Sequence, residues 1–353
     1  MIAAVVFLFI NLGAAAILEY LMTRPISIIY QSIFLIVLVF SAAIGQKPEA
    51  SSSEQIKPAA DHHQHLFRAA TLELLGLTAG KPLTAEGVIG LLDRAGIKRG
   101  LILSVAYMYG RPGREPQDEY AKVKADNDWT GAQAALYPKR LIAFCSFNPL
   151  KDYALDELAR CAKSANLRHG IKMHFGNSDV QLENPEHLEK LKKVFRAANS
   201  NRMAIVVHLR ASISLNRPYG AEQARIFLEQ LLPLAADIPV QVAHLAGSGP
   251  GFDDTKAHSV LEVLADAVAK RDKRTRNLWF DVTTVAVPKN SPEISALLVK
   301  RIRQIGVKRV LYGSDAPAGG NLQPREGWEA FCRLDLSKKE IEQIAGNIAP
   351  YLR

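Results

Sequence analysis

After residue 58 the chain repeats one pattern eight times: a short, continuously apolar run, then a longer stretch with helical spacing. The apolar runs are 59–65, 99–107, 140–147, 170–175, 203–209, 239–245, 277–283 and 308–315. Between them lie helical stretches at 84–95, 119–136, 152–166, 186–199, 221–236, 255–270 and 292–305. In 221–236, for example, Ile226, Leu228, Leu231 and Leu232 recur at helical spacing with Glu and Gln between them. Strands that are apolar without alternation are buried on both faces, as in a parallel sheet wrapped by its own crossover helices. Eight such units over about 250–300 residues match a (β/α)8 barrel in count and size. An open doubly wound sheet would place a glycine-rich phosphate turn after its first strand. Here His65 is followed by Leu-Phe-Arg. The fold expected for residues 59–353 is therefore α/β, a (β/α)8 TIM barrel.

The residues before the barrel differ in kind. Positions 1–18 and 26–45 are almost wholly apolar, with Arg24 ahead of the second run and the small residues "SAAIGQ" behind it. A positive start, an apolar stretch and small residues at a cleavage point make a signal peptide. An uncleaved membrane anchor is the alternative, because each run approaches the ~20 residues a spanning helix needs. Starting at Met22 instead of Met1 would leave an ordinary signal peptide. Both readings put residues 59–353 outside the cytoplasm, either exported (periplasmic or secreted) or membrane-anchored. Membrane contact is expected only through residues 1–45, and "QKPEASSSEQIKP" (46–58) reads as a flexible linker.

The net charge of +9 lies entirely after residue 46, since Glu19 and Arg24 cancel before it. These cations are scattered among acids, with no basic stripe interleaved with aromatics, which argues against nucleic acid and for a solvated, somewhat basic surface, attraction to anionic substrates being the alternative. Cys145, Cys161 and Cys332 are odd in number and show no paired spacing. The expectation is no disulfide and no thiolate metal site, with Cys145 a buried thiol in its apolar run.

The chemistry lies in the histidines. "DHHQHLF" (61–67) carries three in four positions. Successive strand residues point to opposite faces, so His63 and His65 project together and His62 away from them. A His-x-His pair at the end of the first strand sits at the barrel mouth, where such folds keep their active sites. Zinc catalysis asks for three or more protein ligands. His174 ends the fourth strand, His208 the fifth and His244 the sixth, while Asp315 closes the eighth in "YGSDAP". Five of nine histidines thus fall at strand ends, leaving His62, His169, His187 and His258 as ordinary residues.

With "DHHQHLF", "GIKMHF", "VVHLR", "VAHLAG", "VLYGSDAP" and the closing "IEQIAGNIAPYL", residues 59–353 resemble the amidohydrolase superfamily. The similarity is to its amidohydrolase 2 branch of metal-dependent barrel hydrolases and decarboxylases. The resemblance implies one divalent metal, usually zinc, held by His63, His65, His208 and Asp315. It implies that His244 acts beside a metal-activated water as general base or orienting group, with Asp315 passing a proton onward. Imidazoles and one carboxylate suit a borderline ion such as Zn²⁺. Lys172 and His174, two apart, share the inward face of the fourth strand. In other branches a carbamylated lysine at this place bridges two metals, and that scheme stays open here as the alternative. With one metal, Lys172 and His174 contact substrate or stabilise negative charge.

Arg111, Arg114, Arg210 and Arg217 lie in mouth loops and are candidate carboxylate anchors, Arg210 foremost, with Tyr107 and Tyr109 as possible walls. The expected function is a metal-dependent hydrolase using activated water on a small carboxylate, lactone, ester or amide. A metal-dependent decarboxylase or lyase on the same scaffold is the alternative. Barrels of this type often associate through their outer helices, so a homo-oligomer is compatible with the sequence.

Overall fold

A computed structural model of the protein describes residues 56–76, 80–317 and 320–353. The apolar segment at 1–45 and residues 46–55 of the expected linker lie outside the described residues. Among the described residues no helix is long and apolar enough to cross a membrane.

Eight parallel strands follow one another around a single sheet: β1 (Ala60–Gln64), β2 (Arg99–Leu103), β3 (Leu141–Ser146), β4 (Gly170–His174), β5 (Ala204–His208), β6 (Val240–Val242), β7 (Leu278–Asp281) and β8 (Val310–Leu311). The (β/α)8 barrel closes where β8 and the residues after it meet β1. His62 N–H donates to the Tyr312 carbonyl at 2.9 Å, and Asp315 N–H donates to the His63 carbonyl at 2.7 Å. Gly313 permits this approach, because a Cβ there would stand 2.7 Å from His63 Cβ and collide with the Thr283 hydroxyl.

Helices α1 (Ala69–Leu74), α2 (Ala85–Ala95), α3 (Glu119–Ala135), α4 (Ala154–Lys163), α5 (Pro185–Ser200), α6 (Ala221–Ile226), α7 (Thr255–Ala269), α8 (Pro292–Ile305), α9 (Pro324–Phe331) and α10 (Lys338–Gly346) accompany the strands. Their ends follow local chemistry. Thr84 caps α2 by accepting from Gly87 N–H, and left-handed Gly96 ends it. Ser291 caps α8, whose first turn holds Pro292, where a missing N–H costs nothing. The helix expected over 221–236 departs from regularity after Ile226. It passes through a π turn (Phe227–Leu231) and a 3₁₀ turn (Leu232–Ala235), because Pro233 supplies no donor to the ladder.

Apolar side chains form two bodies. Leu101, Leu103, Phe144, Ala204 and Val206 fill the barrel interior. A much larger shell, including Val88, Leu92, Val194, Phe195, Leu261 and Ile302, lies between strands and helices. At about 25 cal/mol per Å² of apolar area buried, this shell is the main stabilising contribution.

Three strand expectations were too long. The run 99–107 is a strand only at Arg99–Leu103 and becomes a 3₁₀ turn at Ala106–Gly110. The run 239–245 ends as a strand at Val242, since His244, Leu245 and Ala246 turn left-handed, with φ of 53°, 48° and 67°. The run 308–315 is a strand only at Val310–Leu311, after which the backbone leans across to β1.

The cysteine expectation fails. Cys145 and Cys161 are joined in a disulfide, with Cα atoms 6.3 Å apart. Cys145 faces outward from β3, beside Phe144, which fills the interior. The connection after β3 then lays the buried face of α4, with Cys161, upon it. A separation of 16 residues is what one strand-to-helix return spans here, and it matches no short cysteine motif. Cys332 is a free thiol.

Candidate metal centre

The ends of β1, β4 and β5 and the turns after β6 and β8 surround a cavity of about 420 Å³. His63, His65, Lys172, His174, His208, His244 and Asp315 all line it, as do Tyr107, Asn177 and Asn321. His63, His65 and Asp315 each offer a ligand atom, and the three atoms lie within 4.8 Å of one another. His65 Nε2 is 3.5 Å from Asp315 Oδ1. His208 lines the same cavity but is not in that group; its ring stacks on His174 with centroids 3.8 Å apart.

Hydrogen bonds behind the rings fix which nitrogen carries the proton, because a carbonyl or carboxylate can only accept. His63 Nδ1–H donates to Asp281 Oδ2 at 3.2 Å. His65 Nδ1–H donates to the Leu103 carbonyl at 2.6 Å, and His244 Nδ1–H to the Thr283 carbonyl at 3.0 Å. These three rings therefore keep a lone pair on Nε2. His174 is set the other way: its Nδ1 accepts the Asn177 backbone N–H at 3.2 Å, so its proton is on Nε2. One cavity thus holds two imidazoles with ligand character, one with base character and one donor.

Burial dominates the electrostatics. It depresses His65 to about 3, with Lys172 adding to the effect, and holds His63, His174, His208 and His244 below their ordinary value. All five stay neutral near pH 7. Burial also lowers the Lys172 ammonium to about 8, partly opposed by Asp281 and Asp315. Its Nζ donates to His63 Nε2 at 3.2 Å, so the lone pair on that ring already meets a positively charged group. Two imidazole nitrogens and a carboxylate oxygen are a donor set that fits a borderline divalent ion, the carboxyl giving up its proton as the ion binds.

Asp315 rises to about 7 through burial, against the pull of Lys172. It takes a left-handed φ of 51°, and Asn321 Nδ2 donates to its Oδ2 at 3.1 Å. Gly249, at φ +55°, packs under His244; a Cβ there would collide with the Thr284 hydroxyl and stand 3.5 Å from His244 Nδ1.

Two acids that sequence reasoning passed over hold this arrangement. Asp281, fully buried at the end of β7, accepts four donors. Oδ1 takes His244 N–H at 2.8 Å and Thr283 N–H at 3.2 Å; Oδ2 takes the His63 ring and Gln241 Nε2–H at 2.6 Å. Burial alone would raise its pKa, yet His63 and the other donors hold it well below the usual carboxylate range. Asp61 accepts from Ser314 N–H at 3.1 Å, Ser314 Oγ–H at 2.6 Å, His63 N–H at 3.1 Å and Gln64 Nε2–H at 2.8 Å. It pins the loop bearing Asp315 to the strand bearing His63. The available signal was an acid inside an apolar strand, a position that charged residues occupy only when paired.

His62 points away from the cavity, as the strand alternation requires. Its Nδ1–H donates to the Tyr312 carbonyl at 2.9 Å, and its Nε2 accepts Ala349 N–H at 3.2 Å.

The arginine anchors do not materialise. None of Arg111, Arg114, Arg210 and Arg217 lines the cavity. Arg210 is buried, donates from Nε to Asp254 Oδ2 at 2.5 Å and lies over the Tyr219 ring. Its side chain satisfies a structural carboxylate that also caps α7. Arg217 grips Asp179 with two bonds, at 2.8 and 2.7 Å. Tyr107 does form a cavity wall, whereas Tyr109 bonds to the Thr71 hydroxyl at 3.1 Å.

Comparison with known proteins agrees with this fold. No curated protein sequence matches the chain. A solved 2,6-dihydroxybenzoate decarboxylase from Rhizobium is similar at 14% identity, over 82% of this chain and 96% of its own, with a TM-score of 0.57. A probable 2-pyrone-4,6-dicarboxylic acid hydrolase from Acinetobacter baumannii with citric acid bound is similar at 17% identity, over 81% and 95%, with a TM-score of 0.52. An amidohydrolase from Burkholderia multivorans with bound Zn is similar at 13% identity, over 82% and 96%, with a TM-score of 0.54. At these identities the likenesses show the shared fold. The match that covers residues 60–349 is to the amidohydrolase family, and the chain belongs to that family as one of its enzymes.

Proposed function

We propose that this enzyme is a metal-dependent hydrolase of a small, carboxylate-bearing lactone, ester or amide, working with one divalent ion, Zn²⁺ first among candidates. One observation carries the reading: the opposed protonation of the histidines around a single cavity. His65 presents a lone pair beside the Asp315 carboxyl, His63 one that Lys172 would yield to an ion, His244 one next to them, and His174 a proton. His63, His65 and Asp315 would hold the ion, with His208 at the edge of the same cavity. When bound, such an ion polarises a substrate oxygen and lowers the pKa of water from 15.7 to about 7.

The chain's own groups do the rest. His244, oriented from behind by Thr283, accepts the proton of the attacking water on Nε2. His174 Nε2–H and the Lys172 ammonium supply donors where negative charge gathers on the substrate, a role that buried groups fill without reorganising. Tyr107 walls the cavity, whose 420 Å³ suits a small molecule. The Cys145–Cys161 disulfide supports placement of the domain outside the cytoplasm, because such bonds persist in oxidising compartments.

The test is product analysis on a panel of aromatic and aliphatic lactones, esters, amides and carboxylic acids. Incorporation of ¹⁸O from labelled water into a new carboxylate, with no CO₂, supports hydrolysis. Stoichiometric CO₂ release without ¹⁸O uptake moves the enzyme to decarboxylation.

A further inference from the structure

Gln241 is the one polar residue of β6, between Val240 and Val242, and it is fully buried. A buried amide has four hydrogen-bonding positions to satisfy, and unmet ones are costly. Here one Nε2 hydrogen goes to Asp281 Oδ2 at 2.6 Å and the other to the His62 carbonyl at 3.2 Å. Its Oε1 accepts the Tyr351 hydroxyl. The amide cannot be turned over, since that would set Oε1 against the Asp281 carboxylate.

Tyr351 belongs to the last turn of the chain (Pro350–Leu352) and enters the barrel from beyond α10, its ring against Phe144 with centroids 5.1 Å apart. A continuous line of bonds therefore runs through the barrel, Tyr351 to Gln241 to Asp281 to the His63 ring. The mechanism above uses His63 but assigns nothing to Gln241 or to the chain terminus.

We infer that Gln241 and Tyr351 are positioning residues: they hold the Asp281 carboxylate in place, and through it the tilt of the His63 ring and so the strength of the metal centre. The inference rests on the metal reading proposed above for its consequence, though the geometry it concerns stands without an ion. Partners behind a ligating imidazole hold the ring and raise its basicity, and their loss commonly weakens metal binding 10–100-fold.

The experiment uses the full chain with Gln241→Met, which keeps length and volume but removes all four bonding positions, and Tyr351→Phe, which removes one hydroxyl. Asn347→Ala is the control. That residue is also buried, but it donates to the Val307 and Val310 carbonyls at 2.7 Å and joins no part of the line to His63. Two quantities are read: zinc affinity by chelator competition, and the ¹⁵N shifts of the His63 ring in metal-free protein.

Gln241→Met is expected to weaken zinc about 10–100-fold, with Tyr351→Phe smaller in the same direction. The His63 ring signals should shift while Nδ1 keeps its proton, because the Asp281 carboxylate still accepts from it. Asn347→Ala should lower the melting temperature and leave both readings as in the wild type. Wild-type affinity and an unchanged His63 signal in Tyr351→Phe and Gln241→Met would overturn the inference, whatever their thermal stability. If Gln241→Met does not fold, Tyr351→Phe decides alone. If the wild type takes up no divalent ion, the metal reading falls by itself, and the His63 signal still decides this one.

Discussion

Asp281→Asn is nearly isosteric and removes only a charge, which makes its consequences calculable. In the wild type four donors converge on Asp281: two backbone N–H groups on Oδ1, and the His63 ring with the Gln241 amide on Oδ2. The new amide keeps an oxygen for the two backbone groups and turns an NH₂ toward His63 and Gln241. Two buried donors then face a donor. His63 can relieve its share by changing tautomer, accepting on Nδ1 and carrying its proton on Nε2, which also obliges Lys172 to withdraw its donor from that nitrogen. Gln241 cannot turn without abandoning Tyr351 and the His62 carbonyl. One buried amide N–H stays unpaired, at a cost of about 1–3 kcal/mol. The tautomer change removes the lone pair that an ion needs, so zinc affinity should fall at least 10–100-fold. Urea unfolding of metal-free protein measures the first quantity and chelator competition the second. A variant that loses about 1–3 kcal/mol yet binds zinc like the wild type would refute the claim that Asp281 sets the His63 tautomer.

Further predictions follow from the same structure. Burial keeps His62 near 4, His65 near 3 and His63, His174, His208 and His244 below 6.5, so the folded protein holds six histidines neutral while the unfolded chain protonates them below about 6.5. Their contribution is complete above that pH and is lost as pH falls, by about 1.4 kcal/mol per unit for each histidine until its folded value is reached. Asp61 and Asp126, raised to about 6, and Asp315, raised to about 7, act in the opposite sense but are fewer. Metal-free protein should therefore unfold at lower urea concentration at pH 5.5 than at pH 7; equal or greater resistance at pH 5.5 would contradict this. Cys161→Ala, which opens the 16-residue separation closed by the disulfide, should cost about 2–4 kcal/mol by urea unfolding; titration of three free thiols in the unreduced wild type would deny the bond. Arg210→Ala should destabilise by about 1–3 kcal/mol, discounted from a fully buried pair because Asp254 keeps some solvent contact, and should leave KM unchanged. A raised KM at unchanged stability would return Arg210 to the substrate.

The barrel was legible because burial on both faces writes itself as unbroken apolar runs, and eight of them leave little choice. The histidines were legible because they end those runs, where a barrel gathers its chemistry. What escaped was set by packing across the barrel. Asp281 stood inside "NLWFDVT" as an acid in an apolar strand, yet its partners come from β1, β6 and the turn after β6, far away in sequence. Cys145 and Cys161 met because a helix returned onto its own strand, a matter of rotation that spacing does not encode. Arg210 is two residues from His208 but is drawn off by Asp254, 44 residues further on. The left-handed turn at His244 shortened a strand that composition alone would extend.

The central claim is that His63, His65 and Asp315 hold one divalent ion. The direct measurement is metal content per chain by plasma mass spectrometry, on wild type and on His65→Ala, each reconstituted with zinc and dialysed. The account predicts about one equivalent in the wild type and essentially none in the variant. No metal in the wild type, or an undiminished equivalent in His65→Ala, would contradict it.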